Sequence, residues 1–422
     1  MLKKITLYNT LLVLFALIII VRYDFLYSGL KLFGYFVIEL VINPKTIFSK
    51  IDLLTIDLFI SVISFFIIPI IILKYRNRIK ILKQKLDFSS FIFVVLLFSV
   101  LFSPVITNYH PNVQTDIRAT RFLSPLSSVK IIDITNSNNL DANFENMKNR
   151  IINRETISDK IFVNLSRMDS DTIYYSEGKS ITKKEISLSG NSESIYSKTY
   201  YLGTDELGRD IFSRIIYGAR VSLFIALLTV IISLVIGVTF GFLAANYGGL
   251  INLALSRFTD IFLAIPAIFF VIMILAFWGN SIFAVIVVLG LTGWMSIFKV
   301  VKGEVTSIIE KDYFITSRKI GLSFWKLLFK EIFPVLIISL TVAIVFQFSN
   351  VILAESSLSY LGLGVGINYP SWGNMILSGQ KYMATAWWLL AIPSLALVIV
   401  LLSLNSFGEK IKKTINPTIL DD

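Results

Sequence analysis

Leu202-Gly203-Thr204-Asp205-Glu206-Leu207-Gly208-Arg209-Asp210 ends a long hydrophilic stretch, and an apolar run at 221–245 follows it closely. Gly203 and Gly208 permit tight turns, and Thr204 or Asp205 can cap a following helix. The acids and arginines can pair within one compact turn before the apolar run begins. Taken alone, the pattern of residues 203–210, here named the outer turn, is equally typical of an ordinary polar elbow before a helix.

Apolar runs like the one at 221–245 recur along the chain. Of the 422 residues, 55% are hydrophobic and only 16% are charged, whereas soluble domains carry about a quarter charged residues. A helix needs roughly 20 apolar residues to cross a hydrocarbon core of about 30 Å. The sequence therefore predicts an all-α polytopic membrane protein with about 8 transmembrane helices. Their predicted positions are 5–21, 53–73, 88–107, 221–245, 261–278, 282–298, 335–354 and 387–407.

Residues near the start of the chain leave two further expectations. The run at 5–21 follows Lys3-Lys4 and has no small-residue cleavage site after it, so we expect an uncleaved helix. The segment 30–42 is also apolar, but it is short and carries Lys31 and Glu39, which favours a separate interfacial helix.

Charge predicts which links face the cytoplasm. The formal net charge of +11 comes from Lys and Arg concentrated at 74–85, 299–330 and 410–413. With eight crossings these three groups fall on one side, as cytoplasmic loops do in membrane proteins, which argues against a nucleic-acid partner. The same topology places 108–217 outside as a small mixed α/β domain, with strands near 160–165 and 172–175 and a helix near 143–153.

Several kinds of chemistry lack the residues they need. Cysteine is absent and His110 is the only histidine, so the sequence predicts no metal site, no cofactor and no catalytic triad. It contains no Gly-rich loop ending in Lys-Ser or Lys-Thr, the motif that holds ATP phosphates. We therefore expect no enzyme activity in this chain, and any energy from ATP must come from another polypeptide.

A hydrophilic link at 302–334 has the pattern of helix, turn and helix. Gly321 can end the first helix in a left-handed conformation, and Ser323 can cap the second. Trp325, Leu328, Phe329 and Ile332 then form an apolar stripe, and Pro334 follows. The pattern predicts a protrusion on the membrane surface that can dock into a groove.

Polar side chains also occur within one apolar run. Gln347 and Asn350 lie in the seventh predicted helix, with Glu355 near its outer end. Polar groups at membrane depth usually face a cavity or a neighbouring helix. The sequence does not distinguish between two roles for these three residues, lining a pore and hydrogen bonding between helices.

The order of motifs resembles the C-type permeases of dipeptide, oligopeptide and nickel ATP-binding cassette (ABC) importers. The resemblance covers about 87–124 and 201–417. Its residues are those of the outer turn (Gly203, Thr204, Asp205, Gly208, Arg209, Asp210), Gly237, Gly241, Gly248-Gly249, Arg257, Asp260, Ile265-Pro266, Gly293-Trp294, Gly321, Pro334, Ala354-Glu355-Ser356-Ser357-Leu358-Ser359-Tyr360-Leu361-Gly362-Leu363-Gly364, Pro370-Ser371-Trp372-Gly373-Asn374-Met375 and Ala386-Trp387-Trp388.

The resemblance implies a type I importer permease fold with six core helices, in the bacterial cytoplasmic (inner) membrane. It implies a homologous B-type permease, two ABC ATPase subunits and an extracytoplasmic solute-binding protein as partners, with a peptide as substrate. The link at 302–334 would be the ATPase-coupling loop. Its Gly321 and Pro334 match the family pattern, but Ile315-Thr316-Ser317 stand where the family has Glu-Ala-Ala.

Two regions have no counterpart in the short members of this family: 1–86, with two predicted helices, and 125–200, the enlarged external insertion. Segments 87–124 and 201–417 make up the predicted core. We expect a chain lacking residues 1–80 still to insert and assemble. Nickel or another small solute is the alternative substrate, and a stand-alone membrane sensor or channel is the alternative function.

Overall fold

The computed structural model describes residues 6–42, 53–75, 87–107, 109–133, 144–148, 151, 160–163, 172–176, 179–182, 194–323, 326–366 and 369–415. Helices make up most of this part of the chain. The helices are α1 Leu7–Ile42, α2 Leu53–Tyr75, α3 Phe88–Leu101, α4 Ser103–Ile106, α5 Ile117–Thr120, α6 Phe144–Lys148, α7 Ile211–Tyr247, α8 Gly249–Ala264, α9 Ala267–Trp278, α10 Ile282–Ile309, α11 Asp312–Lys319, α12 Phe333–Tyr360, α13 Trp372–Gln380 and α14 Trp388–Ile415, with a π-helical turn at Leu327–Ile332.

Long apolar helices dominate the described residues. Six of them are long and apolar enough to cross a membrane, and the pair α8 and α9, bent by 83° at the break between them, would make a seventh. The apolar helix α3 is shorter. Each of the eight predicted segments overlaps one of these helices, so the all-helical membrane fold is confirmed.

The first helix differs from its prediction. Residues 7–42 form one element, α1, with a non-helical backbone at Arg22 (φ −123°, ψ 22°). The kink at Arg22 separates two helical stretches, so the predicted end of the first helix at Val21 agrees with the structure, whereas the second stretch begins directly after Arg22 and not at Leu30. Lys31 and Glu39 lie inside the second stretch, because a charged side chain does not interrupt the backbone hydrogen bonds of a helix.

Two compact units share the chain. The first comprises Met1–Asp87, Val94–Arg220 and Ser378–Pro393, and the second comprises Phe88–Phe93, Val221–Leu377 and Ser394–Asp422. These units group residues by their packing, whereas the predicted boundaries separate the core shared with the resembled family from the regions that are additional to it. The predicted domain boundaries at 86, 124 and 200 therefore remain predictions.

The first unit contains a small antiparallel sheet. Strand β1 (Ser127–Asp133) lies between β2 (Lys160–Val163) and β5 (Ser194–Tyr200), and β3 (Thr172–Ser176) pairs with β4 (Lys179–Thr182). Alternation along β1 directs Val129 and Ile131 inward, where they are buried with Tyr200. Together with α6, these strands confirm the small mixed insertion.

Close helix packing defines the second unit. On α7, Gly237 and Gly241 lie against Ile297 and Val301 of α10, where the absence of a side chain lets two helix backbones approach. An apolar cluster near the end of α10 packs α10 against α11 and α12. Its buried members are Phe242, Ile297, Val301, Val305, Ile308, Phe314, Ile332, Leu336 and Leu340.

Candidate functional site

The outer turn is a compact, buried polar structure. The Asp205 carboxylate accepts hydrogen bonds from the backbone N–H groups of Leu207 and Arg209, both at 2.9 Å, and from Arg209 Nε at 2.7 Å. Arg214 Nε lies 3.7 Å from the same carboxylate. Asp205, Arg209 and Arg214 are all buried. The predicted pairing of acids and arginines within one compact turn is confirmed.

Helix α7 has a different cap from the predicted one. Asp210, immediately before the helix, accepts hydrogen bonds from the Ser213 backbone N–H at 3.1 Å and the Ser213 hydroxyl at 2.6 Å. The proposal that Thr204 or Asp205 caps the helix is wrong, because both lie too far before Ile211. Thr204 instead bonds the preceding segment: its hydroxyl oxygen accepts from the Leu123 N–H at 2.9 Å.

Gly203 and Gly208 have the backbone conformation predicted for them. Their φ angles are +79° and +68°, a region that L residues with side chains rarely adopt. A Cβ at Gly203 would meet the Leu123 carbonyl oxygen, and one at Gly208 would meet the Thr120 hydroxyl. Both glycines are therefore required by the outer turn itself.

The helix–turn–helix at 302–334 also has its predicted break. Helix α11 ends at Lys319, and Gly321 follows with φ +83°. The Gly321 N–H donates to the Arg318 carbonyl at 3.1 Å, and the Ser323 carbonyl accepts from the Leu327 N–H at 3.0 Å at the start of the second helix. Trp325 lies outside the described residues.

The apolar stripe of the second helix is only partly as predicted. Ile332 is buried and Leu328 packs beside it, but Phe329 is 59% exposed. This stretch is a π-helical turn, which holds more residues per turn than an α-helix. Residues four apart therefore share a face there, and residues three apart do not.

Ile315, Thr316 and Ser317 lie on α11, in the Glu-Ala-Ala positions. Ile315 is exposed, and the Thr316 hydroxyl donates back to the Asp312 carbonyl at 2.8 Å. The Ser317 hydroxyl donates to Glu331 at 3.3 Å, which links the two helices of the turn. Pro334 occupies the first turn of α12, where its missing N–H costs no hydrogen bond.

The three polar residues of α12 have different surroundings. Gln347 is buried, with its amide 3.5 Å from the Gly293 carbonyl oxygen of α10. Asn350 is exposed on this chain. For Gln347 the contact favours hydrogen bonding between helices over pore lining, whereas Asn350 stays a candidate for pore lining.

Glu355 is fully buried within a hydrogen-bonded group of hydroxyls. Ser222 of α7 donates to it at 3.0 Å and Ser359 at 2.7 Å. Ser371 donates to Ser359 at 3.2 Å, and the Asn374 N–H donates to Ser371 at 3.3 Å. Glu355 therefore links α7, α12 and the start of α13, and pore lining by it stays a prediction.

Ser222, a partner of Glu355, is a site residue that the sequence did not predict. The two residues are 133 positions apart, and a serine at the start of an apolar helix is too common to signal a pairing. The spacing of Glu355 and Ser359, one helical turn apart, was the available signal.

Six long apolar helices and a bent pair among the described residues define a polytopic membrane protein. The sequence model of the "binding-protein-dependent transport system inner membrane component" family matches residues 237–420. The di/tripeptide transport system permease protein DppC of Pseudomonas aeruginosa is 33% identical over 220 residues, which are 52% of this chain and 73% of that protein. The oligopeptide transport system permease protein OppC of Bacillus subtilis is 32% identical over 229 residues, which are 54% of this chain and 75% of that protein.

The chain belongs to the family of binding-protein-dependent transport system inner membrane components, as its resemblance to C-type permeases implied. It is a multi-pass protein of the inner membrane. Among solved structures, an inward-facing MetNI methionine ABC transporter aligns with a TM-score of 0.40 and 17% identity, covering 48% of this chain and 96% of that chain.

Proposed function

We propose that this chain is the C-type permease subunit of an ABC importer for peptides. The relatives that it matches over about three quarters of their length are permeases of dipeptide, di/tripeptide and oligopeptide transport systems. The observation that carries the coupling part of the proposal is the left-handed Gly321 between α11 and the helix that runs from Leu327 into α12, with exposed apolar side chains on either side of this turn. Ile320 is 75% exposed and Phe329 is 59% exposed, as expected of a surface that a partner covers.

Movement of α11 would reach the membrane helices through its buried side. Phe314 of α11 is 1% exposed and packs in the cluster with Val305 of α10 and Leu336 of α12, whereas Ile320 just after the helix is exposed. Because close-packed side chains transmit displacement rather than absorb it, an ATPase that pushes on α11 would move α10 and α12. Alternating access would follow from that movement.

The importer would contain this chain, a homologous B-type permease, two ABC ATPases and an extracytoplasmic binding protein that delivers the peptide. No residue of this chain is assigned to ATP hydrolysis. Purification of the chain from its native membrane distinguishes this function from a stand-alone sensor or channel, because two ATPases should accompany only a permease. The ligand of the accompanying binding protein would decide between a peptide and nickel or another small solute.

The first prediction concerns Gly321. Among the described residues no atom lies within 4 Å of its Cβ position, so Gly321→Val should act mainly through backbone strain, about 1–3 kcal/mol for a left-handed β-branched residue. Helix α11 can relieve that strain by tilting, which would spoil its fit to an ATPase. We expect uptake and binding-protein-stimulated ATP hydrolysis to fall together in reconstituted vesicles, with membrane insertion unchanged.

Gly321→Asn is the matched control, since asparagine tolerates a left-handed backbone better than other residues with side chains. It should keep most of both activities. Wild-type uptake in Gly321→Val would remove the main support for coupling through 302–334.

A further inference from the structure

Arg220 of α7 has its counter-ion on the N-terminal helix α2. Its two terminal nitrogens each donate to one oxygen of the Asp57 carboxylate, a bidentate pair. Arg220 also donates to the Ser103 hydroxyl at 3.1 Å, at the start of α4. An arginine beside an apolar span is costly unless an anion or hydrogen-bond acceptors compensate it. Asp57 supplies that anion.

Arg22 makes a second link from the N-terminal region. It lies at the non-helical point of α1 and donates to the carbonyls of Val105 at 3.0 Å and Thr107 at 2.7 Å. The last carbonyls of a helix have no partner within that helix. Arg22 therefore supplies hydrogen-bond donors to carbonyl groups at the C-terminal end of α4, just before the predicted external segment 108–217.

Apolar packing joins the same elements. Phe15 of α1 meets the rings of Phe65, Phe98 and Phe102 edge to face, with centroids 5.0, 5.0 and 5.5 Å apart. Phe36 of α1 contacts Phe144 of the external insertion at 6.5 Å. The two regions that lack a counterpart in the short permeases thus pack on each other and on α3 and α4.

We propose that α1 and α2 form a fixed brace that holds α4 and the beginning of α7 at the outer end of the first unit, with Asp57 as the positioning residue for Arg220. The brace is independent of which solute the permease carries. It opposes the expectation that a chain lacking residues 1–80 still inserts and assembles, because their loss would leave Arg220 without its carboxylate and the end of α4 without its donor.

Charge variants of the full chain test the role of Asp57. Asp57→Asn should lower the unfolding temperature of the detergent-purified protein by about 2 °C or more, and Asp57→Glu should restore most of the loss. The exchanged pair Asp57→Arg with Arg220→Asp should be more stable than either single exchange. Equal unfolding temperatures for wild type and Asp57→Asn, or an exchanged pair no better than its singles, would overturn the positioning role.

A disulfide tests whether the brace is fixed. The Cβ position of Gly29 on α1 lies 3.9 Å from Val62 Cβ on α2, within the range of about 3.5–4.5 Å that a disulfide needs. The chain has no cysteine, so Gly29→Cys with Val62→Cys should cross-link cleanly on oxidation. Gly34→Cys with Val62→Cys should not, because the Cβ position of Gly34 has no atom within 4 Å.

Uptake by the oxidised Gly29→Cys/Val62→Cys chain should equal that of the reduced chain. A loss on oxidation that a reductant reverses would show that α1 and α2 must move during transport, and failure of the pair to cross-link would show that they are not packed as described. Cross-linking yield and unfolding temperature need no substrate. If no peptide is taken up while both behave as expected, only the proposed function fails.

Discussion

At the scale of single residues, Lys198 on β5 is unusual. Its buried ammonium nitrogen has no hydrogen-bond partner among the described residues and lies 3.0 Å from the centroid of the Tyr109 ring and 4.8 Å from that of Tyr200. Burial lowers the pKa of Lys198 to about 7; the Asp210 carboxylate raises it and the positive charge of Arg22 lowers it further. Attraction to the two ring faces compensates the buried charge only in part.

This pKa predicts how stability depends on pH. Between about 7 and the ordinary lysine value of about 10.4, the unfolded chain holds a proton that folded Lys198 lacks, so this residue makes stability rise with pH in that window and has no further effect below it. Lys198→Met should therefore show a smaller gain in unfolding temperature between pH 7 and pH 9.5 than wild type. Lys319→Met, at an exposed lysine, should keep the wild-type gain. Equal gains in all three proteins would contradict a lowered pKa.

Residue-scale predictions from sequence succeeded where the backbone alone decides. Gly203, Gly208 and Gly321 have positive φ because a tight turn needs a residue without Cβ, and the sequence shows such a need directly. The partners of Glu355 could not be predicted, because they depend on which helices pack together. The prediction of the α7 cap failed for a third reason. The first residue of a helix can be predicted from sequence only to within several residues, and Asp205 and Asp210 are equally suitable caps by residue type.

At the scale of helices, packing of α7 on α10 depends on glycine. A Cβ on Gly237 would lie 2.8 Å from Ile297 Cβ and from the Trp294 carbonyl oxygen, whereas a Cβ on Gly303 of α10 has no atom within 4 Å. Gly237→Ala should therefore destabilise the protein by about 1–3 kcal/mol through overpacking. Gly303→Ala should be neutral or stabilising by up to about 1 kcal/mol, since alanine is the better helix former. Unfolding temperatures of the two purified variants compare them, and equal effects would show that α7 and α10 are not in close contact.

Helix identities were predictable from sequence, but helix lengths were not. The apolar run at 221–245 lies within a helix of 37 residues, and the run at 282–298 within one of 28. Hydropathy detects only the part of a helix suited to lipid, while backbone hydrogen bonding carries the helix beyond it. The break at Ile265-Pro266 was foreseeable, because proline disfavours helix in the residue before it. Its bend of 83° was not, since that angle depends on tertiary packing.

At the scale of the whole molecule, two elements decide the number of crossings. Helix α3 has 14 residues, about 21 Å at 1.5 Å per residue, which is short for a hydrocarbon core of about 30 Å. The four residues of α4 follow after Phe102 and bring the combined length close to that thickness. For the bent pair α8 and α9 the question is also whether it crosses the membrane. The pair either crosses as one broken span or enters and leaves on the same side.

Single introduced cysteines can show whether α3 with α4, and α8 with α9, cross the membrane, because the chain has no cysteine of its own. Lys74, Ser197, Lys319 and Lys410 are exposed, so a cysteine at each site should react with a membrane-impermeant thiol reagent only from its own side. With eight crossings and basic links in the cytoplasm, Ser197→Cys should react in intact cells, and Lys74→Cys, Lys319→Cys and Lys410→Cys only after the membrane is opened. If Lys74→Cys and Ser197→Cys reacted from the same side, α3 with α4 would not cross. If Ser197→Cys and Lys319→Cys reacted from the same side, α8 with α9 would be re-entrant. Either result would show that the eight-helix topology is wrong.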